Sequence, residues 1–294
     1  MSVNTSQSFE KRYADLNERQ REAVDTIEGP VMVIAGPGTG KTQILTLRIA
    51  NIIKKTDTAP EQILALTFTE AGVHAMRTRL VEMIGTPAYK VRISTFHGFA
   101  NDVIARYPEE FPSIIGAQHI TEVEQIKKLE EIVNGLPLKE IKPFGDPAYY
   151  LRDILSAINK LKREAVQPDE FAKIIKKELR AFEEIPDLYH ETGVWKGKMK
   201  GEYRDLLKRL QKNKELATVY AAYEDALRTA RHYDYNDMIV QLVHALRTNE
   251  DLLRTLQEQY HYLLVDEHQD TNNAQNAILE LMSNFHPNPN LFVV

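Results

Sequence analysis

The sequence predicts an α/β fold in which a parallel sheet is interrupted by an all-helical insertion, and three observations predict it. Short apolar, largely β-branched runs at residues 31–34, 63–68 and 91–95 are each followed by a helical stretch, the alternation that builds a parallel sheet covered on both faces. A glycine-rich loop, Ala35-Gly36-Pro37-Gly38-Thr39-Gly40-Lys41-Thr42, lies between the first run and its helix. From about residue 108 to residue 216 strand signals almost vanish and several helices take over.

In chain order, residues 31–34 suit a buried parallel strand and residues 43–53 carry apolar side chains at helical spacing. That context makes the loop between them a phosphate-binding loop. The loop is formed by Gly36, Pro37, Gly38, Thr39 and Gly40, and its backbone N–H groups, of which Pro37 has none, cradle phosphates; Lys41 reaches the β/γ oxygens and Thr42 holds Mg²⁺. Further on, Thr121-x-x-Glu124 is a capping box that opens an amphipathic run through Val133, with Asn134-Gly135 as its stop. Residues 146–161, 168–182 and 203–230 read as further helices, and 185–201 as the most mobile segment. Residues 261–265 then read as a strand leading into Asp266-Glu267, and residues 291–294 as one more strand.

A carboxylate at the end of a buried strand completes a Mg²⁺ shell, and its neighbour can deprotonate an attacking water. Asp266 and Glu267 fit those roles in that order, so a nucleoside triphosphate and Mg²⁺ are the expected ligands. The two motifs must converge across the insertion. The expected organisation is therefore a first part of an ATPase core at 1–107, a helical insertion at 108–216 and a second part of the core at 217–294.

Composition bounds the alternatives. With 294 residues, 43% of them hydrophobic and 27% charged, the chain can bury a sizeable core. It has no cysteine, which excludes disulfides, a zinc ribbon and thiol catalysis. Residues 1–16 lack the apolar core of an export signal, and no stretch approaches the roughly 18 apolar residues of a membrane helix, so a cytoplasmic location without membrane contact is expected. The net charge of −5 argues against a generic nucleic-acid coat protein but leaves room for a locally basic groove.

The motifs, in their order, resemble the N-terminal half of a UvrD/Rep/PcrA-type superfamily-one DNA helicase, and the resemblance covers nearly the whole chain. Asp266-Glu267-His268-Gln269-Asp270-Thr271-Asn272, with Gln275, is similar to the Asp-Glu-x-Gln-Asp-Thr-Asn pattern of that family. Leu16-Asn17-Glu18-Arg19-Gln20 resembles its Leu-Asn-x-x-Gln element, which implies that Gln20 reads the adenine edge; an amide can donate and accept at once, as adenine demands. The resemblance implies a RecA-like core in which Asp266 holds Mg²⁺, Glu267 is the catalytic base and Gln269 links nucleotide state to DNA. Thr67-Phe68-Thr69 and Thr95-Phe96-His97-Gly98 resemble the family's two single-stranded DNA elements. They make Phe68 the stacking candidate, Thr67, Thr95 and His97 the backbone-contact candidates, and Phe96 a further DNA-binding candidate. Tyr233-Asp234-Tyr235-Asn236-Asp237-Met238-Ile239 resembles the Asp-Phe-x-Asp-Leu-Ile segment, read as structural. Trp195-Lys196-Gly197-Lys198-Met199-Lys200, with Arg204, Lys208, Arg209, Lys212 and Lys214, suits a phosphate-binding surface with a stacking ring.

Departures from the pattern are Glu70 and Gly72, where relatives more often carry Asn and Ala, His268 in place of Phe or Tyr, and Gln43 in place of an arginine. The resemblance implies an ATP-dependent DNA helicase or translocase moving 3′ to 5′ on single-stranded DNA, or on duplex with a single-stranded tail. Repair or recombination proteins are the implied partners. It also implies a second motor domain beyond Val294 that supplies activating arginines. By itself the chain would then bind ATP·Mg²⁺, hydrolyse it slowly and unwind nothing. Two other readings stay open: the helicase part of a RecB/AddA-like helicase-nuclease, and a catalytically silent ATP-binding or DNA-docking module.

Overall fold

The computed structural model of the chain describes residues 5–142, 149–285 and 287–294. It divides into two compact units, Met1–Phe111 with Met238–Val294, and Pro112–Asp237. The first opens with helices α1 (Thr5–Ala14) and α2 (Glu18–Asp25), then strand β1 (Val31–Met32) and α3 (Lys41–Lys55). It continues with β2 (Ile63–Thr67), α4 (Glu70–Ile84), β3 (Arg92–Thr95) and α5 (Phe96–Arg106). The second contains β4 (Gln118–His119), α6 (Glu122–Gly135), α7 (Leu151–Arg163), α8 (Pro168–Glu183), α9 (Gly201–Thr229) and β5 (His232–Tyr233). After it come α10 (Tyr235–Thr248), α11 (Glu250–Gln259), β6 (Tyr262–Val265), α12 (Asn273–Ser283) and β7 (Leu291–Val293).

The first unit is a five-stranded sheet in the order β1-β7-β6-β2-β3, parallel at every pairing. Its central strands read as continuous apolar runs because helices cover both faces, and β2 and β6 are buried along their whole length. Ile44, Leu45, Leu47, Ile49 and Ile52 of α3 and Met76, Leu80 and Met83 of α4 pack with Ile63, Ala65 and Leu264 of the sheet in one core. Two hydroxyls start the helices that follow β2 and β3. Thr69 Oγ1 accepts from Gly72 N and Thr95 Oγ1 from Gly98 N, each at 3.0 Å, satisfying amides that a helix start leaves unpaired.

The expected strands and helices are present with ends that differ by a few residues, but the first strand, expected to be buried, is an edge strand, with Met32 66% and Ile34 93% exposed. The expected helix at 146–161 begins at Leu151, and its residues 146–148 lie outside the described residues. Thr121 and Glu124 form the expected capping box, but α6 runs through Gly135. The segment 185–201 is not featureless: Tyr189 and Met199 form an antiparallel bridge, and Leu188 is buried with Phe182 and Leu210. The short parallel pair β4–β5 gave no sequence signal, since two-residue strands carry no periodicity.

The second unit differs from the expected insertion at its C-terminal end. The insertion was expected to end at residue 216, whereas α9 runs unbroken to Thr229, and residues up to Asp237 stay with this unit. The physical reason is packing. Val219, Tyr220, Tyr223 and Leu227 of α9 share one core with Leu129 and Val133 of α6 and Ile154, Leu155 and Ile158 of α7. A buried ion cluster completes it. The Lys162 ammonium, 1% exposed, lies 2.6 Å from Asp234, 2.5 Å from Asp237 and 2.7 Å from Glu224. Asp234 and Asp237, in the segment read as structural, therefore fasten the chain onto α7 and α9. Burial alone would lower the Lys162 pKa, but the three carboxylates hold it well above the usual lysine range. Burial pushes Glu224 up to about 7 and raises Asp237, against the pull of Lys162.

Removing Lys162 strands these carboxylates, so Lys162→Met should destabilise the protein by about 3–5 kcal/mol in urea denaturation. Glu224 has a folded pKa above its unfolded value, so the folded state holds a proton that the unfolded chain releases. Its contribution is present at pH 4 and lost as pH rises toward 7. Glu224→Gln should remove that slope between about pH 5 and 7; an unchanged slope would show that Glu224 does not titrate there.

Candidate active site

The phosphate loop connects β1 to α3, and its backbone explains its glycines. Gly38 and Gly40 have φ of +75° and +82°, a left-handed conformation that costs an L side chain about 1–2 kcal/mol. Gly40 is the N-cap of α3, and no side chain caps that helix start. Thr39 Oγ1 closes the loop by donating to the Gly36 carbonyl at 2.7 Å. The first amides of α3 and its macrodipole thus face the loop as an anion-binding site.

Lys41 and Thr42 open α3, and each meets one member of the acidic pair at the end of β6. Lys41 Nζ donates to Glu267 Oε2 at 2.7 Å, and Thr42 Oγ1 to Asp266 Oδ2 at 2.8 Å. These contacts join residues 226 and 224 positions apart in the chain. Asp266 is 4% exposed, and burial raises its pKa while the Thr42 hydroxyl opposes that. The Lys41 ammonium holds the Glu267 carboxyl below its usual range, helped by Gln269 Nε2, which donates to the same Oε2. Glu267 has φ +54° and ψ +43°, a left-handed backbone that is rare for a non-glycine residue and concentrates at functional sites. A hydroxyl and a buried carboxylate together are the hard oxygen donors that Mg²⁺ takes, so this donor set fits that ion.

A cleft of 580 Å³ opens beside these groups, lined by Pro37, Gly38, Lys41, Glu267, His268 and Gln269 among others. Gln20 lies at the other side of the loop. Its Nε2 donates to the Thr39 carbonyl at 3.1 Å, and its Oε1 accepts from Asn17 N at 3.0 Å in a capping box that starts α2. The amide keeps one free N–H and one free lone pair, the complement an adenine edge requires.

The five DNA candidates do not form one exposed surface. Phe68 is 52% exposed at the end of β2, and His97 is half-buried. Phe96 is 2% exposed, which removes its ring as a contact surface: it opens α5 facing inward. Thr67 and Thr95 are buried too. Thr95 Oγ1 accepts from Gly98 N and donates its single proton to Glu70 Oε1 at 3.0 Å, leaving none for a phosphate. Gly72 is explained by Thr67: a Cβ at that position would lie 2.7 Å from the Thr67 hydroxyl. In the second unit, Lys198 Nζ sits 4.7 Å from the centre of the Trp195 ring. Sequence reasoning missed Arg48 and Lys162 and noted Glu70 only as a departure from the pattern; a lone charge inside the apolar run Leu47-Arg48-Ile49 is the signal that could have found the first.

A profile of the UvrD/REP helicase N-terminal domain matches residues 16–294. A protein of Leuconostoc citreum named ATP-dependent DNA helicase PcrA is 30% identical over 269 residues, covering 91% of this chain and 31% of its own length. Proteins of the same name from Staphylococcus epidermidis and Staphylococcus aureus are 27% and 28% identical, covering 92% and 91% of this chain and 32% and 31% of their own. The chain spans about a third of the length of these relatives. No helix among the described residues is long and apolar enough to cross a membrane.

Gly40→Ala should cost about 1–2 kcal/mol of stability and weaken binding of a fluorescent ATP analogue, because the side chain strains the left-handed cap. Unchanged binding would show that the loop does not need this backbone.

Proposed function

The chain belongs to the UvrD/REP helicase family, and on that premise we propose that it is the ATP- and Mg²⁺-binding N-terminal motor region of an ATP-dependent DNA helicase or translocase, moving 3′ to 5′ on single-stranded DNA. One observation carries the proposal: Lys41 and Thr42 at the start of α3 close onto Glu267 and Asp266 at the end of β6. A phosphate loop, a hydroxyl and two carboxylates within hydrogen-bond reach are the parts that phosphoryl transfer to water requires.

In this mechanism Lys41 binds the β/γ oxygens of the nucleotide, and doing so takes it away from Glu267. That departure removes the main influence holding the Glu267 carboxyl low, so the same event makes Glu267 a stronger base for the attacking water. Gln269 holds the carboxylate through the shared oxygen and ties its orientation to the strand-end surface. Thr42 and Asp266 would hold Mg²⁺, which when bound neutralises charge developing on the phosphate oxygens. Gln20 reads the adenine edge. Phe68 offers its ring to a base of single-stranded DNA, alone or in the single-stranded tail of a duplex, with His97 beside the backbone. Glu70 places a carboxylate on that surface, and we assign it a moderating effect on DNA affinity.

Lys41→Ala should abolish nucleotide binding, whereas Glu267→Gln should bind nucleotide and lose whatever hydrolysis the chain performs. Hydrolysis unchanged in Glu267→Gln would remove the general-base assignment. In fluorescence anisotropy with a labelled oligonucleotide, Phe68→Ala should weaken binding by about 1–3 kcal/mol and Glu70→Gln should tighten it at low salt. Affinity should fall steeply as salt rises; a flat salt dependence would contradict backbone recognition.

A further inference from the structure

Gln20 sits on α2, a helix of only eight residues, and a helix that short has no independent stability in water. Its position must be imposed from outside. Arg48 of α3 is 1% exposed and spends its guanidinium on the C-terminal end of α2. Nη1 donates to the Ala23 carbonyl at 2.7 Å and also to that of Thr26, and Nη2 donates to the Ile27 carbonyl at 2.9 Å. The group also stacks over the Phe292 ring of β7, 4.7 Å from its centre. One turn further along α3, Asn51 Nδ2 donates to the Val24 carbonyl at 3.0 Å. The Ala23, Val24 and Thr26 carbonyls belong to the C-terminal end of α2, where they lack partners within the helix and carry the negative pole of its dipole, and Ile27 follows directly. A buried cation there caps α2 from a neighbouring helix. Burial lowers the Arg48 pKa to about 10, which leaves it charged at neutral pH.

Arg48 lies on the same rigid helix as Lys41 and Thr42. The contacts therefore close a circuit: the phosphate loop starts α3, α3 holds the end of α2 through Arg48 and Asn51, and Gln20 on α2 returns to the loop at the Thr39 carbonyl. We infer that Arg48 is a positioning residue for base recognition, setting the distance and angle between the Gln20 amide and the phosphate loop so that one ligand can engage both. The inference rests on the proposed role of Gln20 as base reader. Lysine cannot replace arginine here, because a single ammonium on a flexible stem does not span carbonyls that a planar fork meets together.

The test compares binding of ATP, GTP and inorganic tripolyphosphate to the chain by competition with a fluorescent nucleotide. Tripolyphosphate engages the loop and no base reader. Arg48→Lys should weaken ATP about tenfold, the scale of a misplaced polar contact, while tripolyphosphate changes by less than about twofold, so that the preference for ATP over GTP collapses. Asn51→Ala should move the preference in the same direction by a smaller factor, and it carries the test where Arg48→Lys does not fold. A purely structural role would lower all three affinities together or none. If Gln20→Ala collapses the preference while Arg48→Lys and Asn51→Ala leave it intact, the positioning role is overturned. If the unsubstituted chain shows no preference, or Gln20→Ala preserves one, base reading by Gln20 itself falls and the inference falls with it.

Discussion

Parallel pairing of β6 between β2 and β7 is the constraint on which the active site depends. Leu66 pairs with Val265 on one side and Val265 with Val293 on the other, so the strands end at a common edge and Asp266 emerges there. Side chains alternate along a strand, so a slip of one residue would turn Asp266 to the opposite face and away from Thr42. The register is held by burial: β2 and β6 are buried along their whole length, so a slip of one residue would draw His261 or Asp266 into the pairing positions now held by Tyr262–Val265. The geometry of the candidate site is thus a by-product of core packing in the first unit.

Within that frame the site balances charge locally. Two cationic or dipolar elements, the Lys41 ammonium and the start of α3, face two carboxylates in different environments. Asp266 is buried against a neutral hydroxyl and its pKa rises; Glu267 is more open, meets the ammonium and its pKa falls. Neighbouring acids whose environments push them apart are suited to different tasks, one to hold a cation and one to accept a proton. The left-handed backbone of Glu267 is the local cost of aiming the second carboxylate at Lys41.

The second unit solves a different problem with similar chemistry. Its long helix α9 shows no single apolar stripe along its length; the apolar face that packs on α6 and α7 is confined to its C-terminal part. The Lys162 cluster ties three parts together there: the ammonium on α7 meets Glu224 of α9, Asp234, and Asp237 in the first turn of α10.

The local alternation of strand and helix, the phosphate loop and the acidic pair after β6 were legible in the sequence, because each depends on periodicity or on glycine and carboxylate at fixed spacing. The shared Mg²⁺ chemistry required those two motifs to pair, and the family pattern supported it. The end of the helical unit was not legible: nothing in residues 203–230 marks a boundary inside a continuous helix, and the contacts that keep Asp234 and Asp237 with α7 come from residues more than 70 positions earlier. Nor was the inward orientation of Phe96, or the engagement of the Thr95 hydroxyl by Glu70, since an aromatic ring or hydroxyl at a strand end reads the same whether it faces solvent or core. By itself the sequence determined which groups are available and which local backbone carries them. Only the tertiary structure decided which of them meet, because hydrogen bonding and burial depend on long-range register, and that is set by the sum of the core contacts and not by any motif.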